Sequence, residues 1–207
     1  MKNNFKLLLV TALTSVLFTG CVGDDDTVLP HYDALPLSQT FNTTPDFTPI
    51  LDNTILDIDG WQNIAQTGSA LWRVQVYQSN GYAELSCYQT GDPVNVSWLV
   101  SPEFIPTEKH KTLSFEVAQS YVTNVANKLE VFVSEDFNGT DVATATWVPL
   151  TVNIPGTSAV YFEFMDSGNV DLTQYVDKQL HLAFKVTGSG TNTNLDGSYQ
   201  IDNVNVK

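Results

Sequence analysis

Cysteine is scarce in this chain: Cys21 and Cys87 are the two cysteines in 207 residues. A disulfide framework is therefore excluded. Basic residues are also few. Nine Lys and Arg stand against 23 Asp and Glu, for a formal net charge of −14. That deficit excludes nucleic acid as a partner, since phosphate binding needs Lys and Arg. It also argues against adhesion to anionic lipid by charge, and it favours solubility and cation binding. Histidine is limited to His31, His110 and His181. There is no Ser-His-Asp order, no Gly-rich phosphate loop and no His/Cys metal cluster. Glu84, Glu116, Glu130 and Glu163 all fall in predicted strands. A carboxylate pair about 5–9.5 Å apart, as in glycosidases, is the one catalytic arrangement left open. The reading is that the chain is not an enzyme. Long apolar runs are missing too. The stretch Leu7 to Phe18 is interrupted by Thr11, Thr14 and Ser15, short of the roughly 20 residues a membrane-spanning helix needs.

What the N-terminus does contain is an address. Lys2 and Lys6 precede that apolar stretch, which fits the h-region of a secretory signal. Leu17-Phe18-Thr19-Gly20-Cys21 resembles a bacterial lipobox. The resemblance implies a diacylglycerol thioether on Cys21, which becomes the mature N-terminus and takes the lipid bilayer as a partner. The plainer alternative is an ordinary cleaved signal. Residues 1–20 are then the signal peptide, 21–36 a flexible tether stiffened by Pro30 and Pro36, and 37–207 one domain. Cleavage leaves 187 residues and removes two lysines, moving the side-chain charge to −16. Asp24-Asp25-Asp26 resembles the acidic tag that carries Bacteroidota lipoproteins to the cell surface; the alternative is a solvated linker. The expectation is a lipid anchor in the outer membrane, with the domain facing the medium.

The remainder reads as strand after strand. Leu180, Leu182, Phe184 and Val186 alternate with polar residues, as do Leu113, Phe115 and Val117, and Leu129, Val131 and Val133. Period-two alternation marks half-buried strands. Further strands are predicted over 55–64, 71–77, 82–88, 98–101, 147–152, 160–164 and 199–206. Gly and Asn punctuate them at Ser79-Asn80-Gly81, Gly91-Asp92-Pro93, Asn138-Gly139, Pro155-Gly156 and Ser167-Gly168. About ten short strands and no convincing helix predict an all-β fold, a two-sheet antiparallel sandwich of jelly-roll type. Residues 171–175 suit a single helical turn. Leu85 and Cys87 share a face of their strand, so Cys87 reads as a buried, inert thiol. Near the C-terminus the apolar phase slips: Tyr199 and Ile201 are odd-numbered, Val204 and Val206 even-numbered. A β-bulge at Asp202-Asn203 accounts for the slip.

Several of these residues form a longer pattern. Gly60-Trp61, Trp72, Trp98-Leu99-Val100-Ser101-Pro102, Asn138-Gly139, Trp147-Val148-Pro149-Leu150 and Ile201-Asp202-Asn203-Val204 together resemble the choice-of-anchor J domain of bacterial surface proteins. That resemblance implies a jelly roll similar to carbohydrate-binding modules. It also implies a structural Ca²⁺ with Asp202 as its C-terminal ligand and partners among Asp46, Asp57 and Asp59. The aromatic residues suggest a binding surface, with Trp72, Arg73 and Tyr82 as its candidate residues and Gln75 and Gln78 nearby. The functional expectation is a non-catalytic module for extracellular glycan; the alternative is adhesion to a surface protein.

Overall fold

The period-two segments become strands whose apolar faces meet in one core. The structure, a computed structural model, describes residues 35–42 and 51–207. Among the described residues there are thirteen strands and one 3₁₀ turn, Thr173–Tyr175. The strands are β1 (Leu37–Gln39), β2 (Thr54–Ile55), β3 (Gln62–Thr67), β4 (Arg73–Tyr77), β5 (Asn80–Ser86), β6 (Asn95–Val100) and β7 (Thr112–Ser120). They continue with β8 (Lys128–Ser134), β9 (Val148–Pro149), β10 (Met165–Asp166), β11 (Val170–Asp171), β12 (His181–Gly188) and β13 (Ser198–Val206).

One sheet has eight strands, ordered β10-β7-β13-β5-β4-β2, with β1 beside β13 and β11 beside β7. The other has five, ordered β3-β6-β12-β8-β9. The pairings are antiparallel. The expected all-β sandwich is the observed architecture. Leu113, Phe115 and Val117 of β7 meet Leu182, Phe184 and Val186 of β12 in the core between the sheets. Phe115 and Phe184 stack edge to face at 5.0 Å, an arrangement worth about 1 kcal/mol beyond the area it buries. A smaller apolar cluster lies on the far face of the five-stranded sheet. There Trp98, Val100 and Ala183 are covered by Phe137, Val142 and Trp147.

Three predicted strands differ from expectation. The span 55–64 is divided, because Ile58 and Trp61 close a turn between β2 and β3. In 147–152 the strand is only Val148 and Pro149; the Leu150 N–H still donates to the Val131 carbonyl at 2.8 Å, and by Asn153 the chain bonds the Ser167 carbonyl instead. The span 160–164 is not a strand, because Phe162 sits at φ +62°. The β4–β5 hairpin also turns earlier than expected. Tyr77 pairs with Asn80, so Gln78 and Ser79, at φ +49° and +67°, are the two loop residues. That is the I′ geometry favoured in two-residue hairpins. Gly81 lies inside β5, where the Phe41 carbonyl occupies the space a Cβ would need. The glycine is there for close backbone approach rather than for a turn.

The bulge lies where the phase slip put it. Register between β13 and β7 shifts between Asp202 and Asn205, and Asn203 takes φ +51°.

Candidate functional site

Side-chain alternation gives the eight-stranded sheet a polar outer face. On β5, Ala83 and Leu85 enter the core, so Tyr82, Glu84 and Ser86 point outward. On β4, Val74 and Val76 face inward and Gln75 outward. On β13, Tyr199 and Ile201 face inward, leaving Ser198, Gln200 and Asp202 on the outer side. Register sets Glu84 opposite Gln200, Ser86 opposite Ser198, and Ser198 opposite Ser120. The result is a bonded floor. Gln200 Nε2 donates to Glu84 Oε2 at 2.7 Å and to Ser198 Oγ at 2.8 Å. Gln75 Nε2 donates to Glu84 Oε1 at 3.3 Å. Ser120 Oγ and Ser198 Oγ lie 2.6 Å apart. Burial pushes the Glu84 carboxyl up, against the pull of Gln200, Ser198 and Gln75, and nearby Asp52 adds to the rise.

Above this floor runs a groove. One compartment, of about 770 Å³, is lined by Gln75, Tyr82, Glu84, Ser86, Ser120 and Ser198, with Gln200 buried beneath them, together with Tyr88, Tyr121, Phe162 and Asp196. A second, of about 610 Å³, is lined by Tyr77, Gln78, Asn80 and Phe164. Tyr82 and Phe162 line both, so the two compartments adjoin there. Phe164 meets Tyr82 edge to face at 5.5 Å. Tyr121 lies 4.8 Å from Tyr161 and 6.4 Å from Phe162, ring to ring. Burial pushes the Tyr82 hydroxyl up, as do the charges of Glu84 and Asp52.

Gln119 holds the aromatic rim. Its backbone carbonyl accepts the Phe162 N–H at 2.9 Å. Its side-chain Nε2 donates to the Ala159 carbonyl at 2.9 Å, and its Oε1 accepts the Val122 N–H at 3.0 Å. The side chain is fully buried. Tyr121 and Phe162 both adopt left-handed backbone, at φ +59° and +62°. Bulky residues rarely do so. Of the nine described non-glycine residues at positive φ, Gln78, Tyr121 and Phe162 line the groove. Such strain persists only where the surroundings hold it, and it gathers at functional sites.

At the bulge, Asp202 is buried and both its oxygens are engaged. Asn80 Nδ2 donates to Oδ2 at 2.8 Å, and the Asn203 N–H donates to Oδ1 at 2.7 Å. Its acidic neighbour Glu116 accepts from Asn203 Nδ2 at 2.6 Å. A Ca²⁺ shell calls for 6–8 oxygens, whereas the groups bonded to Asp202 are N–H donors. Asp57 and Asp59 are exposed, and Asp46 lies outside the described residues. Among the described residues no group of three or more His, Cys, Asp or Glu stands together. Among the described residues, those around Asp202 do not fit the expected calcium site; amide hydrogens close the bulge.

The family model described as "Domain of unknown function (DUF5017)" matches residues 80–207. The chain belongs to this family. The matched span runs from β5 to β13, so the DUF5017 region holds the groove apart from its β4 side. No curated protein matches the chain. In fold it is similar to the K1 cleaved adhesin domain of Lys-gingipain from Porphyromonas gingivalis W83. The identity is 18% and the TM-score 0.52, over 83% of this chain and 96% of that one. The K3 cleaved adhesin domain is similar at 18% identity and TM-score 0.51, over 84% and 99%. The CBM22-1 xylan-binding domain of Paenibacillus barcinonensis Xyn10C aligns more loosely, at 13% identity and TM-score 0.44, over 84% and 94%. At these identities the likeness is one of fold.

Within this DUF5017 chain the sequence-predicted residues part company. Tyr82 lines the groove. Trp72 does not: it is fully buried in the core, which corrects its assignment to a binding surface. It shares parity with Val74 and Val76, and that parity is the signal that places it inward. Arg73 faces outward but lines neither compartment; its guanidinium donates to Asn53 Oδ1 at 2.9 Å and to the Asn53 carbonyl at 2.8 Å. Trp61 and Trp98 are buried too, and Trp147 is half-buried beside Trp98. No tryptophan lines the groove. Glu84 is in the floor, Glu130 is on the other sheet paired with Lys128 at 2.9 Å, and Glu163 is outside the strands. Phe162, Ser198 and Asp196 had no local signal. Cys21 and the aspartates at 24–26 lie outside the described residues.

Proposed function

We propose that this chain is a non-catalytic glycan-binding module, held at the outer membrane by acylated Cys21 and turned toward the medium. The observation that carries the glycan reading is the groove: aromatic rings at its rim over a floor of hydroxyls, amides and one carboxylate. Sugar rings offer apolar faces edged with hydroxyls, and they suit such a mixture of flat rings and placed polar groups. The non-catalytic reading is supported by how the strand carboxylates are held: Asp202 and Glu116, opposite each other in register, are bonded by Asn80 and Asn203. Glu84 is bonded by three side chains, while Glu130 lies on the opposite sheet. The adhesin domains of similar fold, and the choice-of-anchor J resemblance of the sequence, agree with a surface module. Anchor and compartment rest on the lipobox and on Asp24-Asp25-Asp26.

Affinity electrophoresis against a panel of plant, algal and host polysaccharides tests the groove. Retardation by at least one polymer, lost in Tyr82→Ala, is the expected result. Free migration through every gel would end the glycan reading. Labelling with an alkyne fatty acid tests the anchor: label on the native chain and none on Cys21→Ser is expected, and equal labelling overturns it.

One feature favours the second reading, adhesion to a protein. Val160 and Phe162 are 67% and 51% exposed on one segment, beside exposed Tyr121. Such an apolar ridge suits a protein partner. A soluble protein ligand that protects this ridge from proteolysis, with no polysaccharide retained, would establish that alternative.

A further inference from the structure

Resting on the glycan reading, we propose that the groove selects uncharged, hydroxyl-rich chains and rejects chains that carry carboxylate or sulfate. The polarity of the lining carries the inference. Among the described residues that line the two compartments, none is Lys, Arg or His. Two are acidic: Glu84 in the floor and Asp196 in the wall. The nearest strand cation is Arg73, opposite Glu84 in register, and its guanidinium is turned to Asn53. The field in the groove is therefore negative. Tyr82 lines both compartments; burial first, and then the charges of Glu84 and Asp52, disfavour ionisation of its hydroxyl.

Hydrogen-bonding capacity points the same way. The floor offers acceptors in excess. Glu84 contributes two carboxylate oxygens and Asp196 contributes two more. The amide hydrogens able to serve an anion are already used. Gln75 and Gln200 both donate to Glu84. A ligand that matches this floor brings O–H donors, as an uncharged sugar does. A carboxylate or sulfate would lose its hydration to face oxygen lone pairs and like charge, with no cation in return.

The adjacency of the compartments adds length to the selection. Tyr82 and Phe162 stand where the two meet, so a chain can lie across both with the rings between adjacent sugars. Longer oligomers should therefore bind more tightly until both compartments are filled.

The test uses one polysaccharide in two charge states. A neutral polymer retained by the native protein is oxidised at its primary hydroxyls to carboxylates, leaving backbone and linkages intact. Both forms are then titrated by calorimetry at low and at high salt. The oxidised form is expected to bind about tenfold or more weakly at low salt. The gap should narrow at high salt, as screening predicts. Asp196→Asn should narrow it as well, and Glu84→Gln serves as a second variant at the floor. Equal or tighter binding of the oxidised form, in the native protein with neutral binding intact, overturns the inference alone. If neither form nor any neutral polymer is retained, the glycan reading itself has failed and the selection falls with it.

Discussion

Tyr121 and Phe162 face each other across the rim of the groove at 6.4 Å, both on left-handed backbone, and both are set by Gln119. The carbonyl of Gln119 takes the Phe162 amide, while its side chain ties down Ala159 on one flank and Val122 on the other. One buried amide thus joins two turns distant in sequence. Gly197 completes the arrangement. Its backbone passes so close to Tyr121 and Val122 that a Cβ would meet their backbone at 2.6 Å.

Gln119→Leu keeps the volume and removes both side-chain bonds, leaving the Ala159 carbonyl and the Val122 N–H without their partner. The expected loss of stability is about 1–3 kcal/mol, read from the denaturant midpoint. Polysaccharide retention should fall at temperatures where the variant is still folded. Gln119→Glu retains the acceptor for Val122 but sets a buried carboxylate oxygen against the Ala159 carbonyl, so near neutral pH it should be no more stable than the Leu variant. Unaltered retention in the folded Leu variant would mean that the rim does not depend on this clamp.

Tyr82→Ala and Phe162→Ala separate binding from folding. Phe162 is half-exposed, so its removal should barely move the melting temperature while weakening retention about tenfold. Trp72→Ala is the counterpart. It empties a fully buried site and should cost about 3–5 kcal/mol, whatever its effect on ligand. If Trp72→Phe abolished binding in a stable protein, Trp72 would return to the site.

Burial raises the Asp202 carboxyl above its ordinary range, against the pull of Asn80 and Asn203, and Glu116 adds to the rise. The native state then holds its proton to higher pH than the unfolded chain does. Stability from this group is full below the ordinary Asp range, near pH 4, and declines as pH rises through the raised native value. Asp202→Asn should flatten that decline in a series of melts. Because N–H donors satisfy the carboxylate, EDTA and added Ca²⁺ should leave the midpoint where it is. A chelator-induced drop would show that a cation contributes.

Cys87 is a free thiol, fully buried, pushed up to about 11 by burial with Asp196 adding to the rise. So little thiolate exists at pH 8 that a disulfide reagent should fail to react until denaturant is added. Rapid labelling of the folded protein would contradict the buried placement.

Much of the fold was legible. The alternations around Leu113, Leu129 and Leu182 became β7, β8 and β12, because half-buried strands impose period two directly on sequence. The phase slip at Asp202-Asn203 became a bulge for the same reason. The site was far less legible. Tyr82 was identified, but beside Trp72, whose parity with Val74 and Val76 already set it on the other face. Phe162 sat in a segment that reads as a strand, and only its left-handed backbone, held from Gln119, made it part of a rim.

By itself the sequence determined the long central strands, the inert Cys87, and the shortage of cations. These follow from local periodicity and from composition, which the chain carries before it folds. The tertiary structure alone decided that Glu84 meets Gln200, that Asn80 reaches Asp202, and that residues 155–166 carry their aromatic rings to the groove. Those contacts join residues tens to more than a hundred positions apart. Alternation tells a strand that it has two faces, but only pairing with its neighbours and packing against the second sheet decide which side chains share a surface.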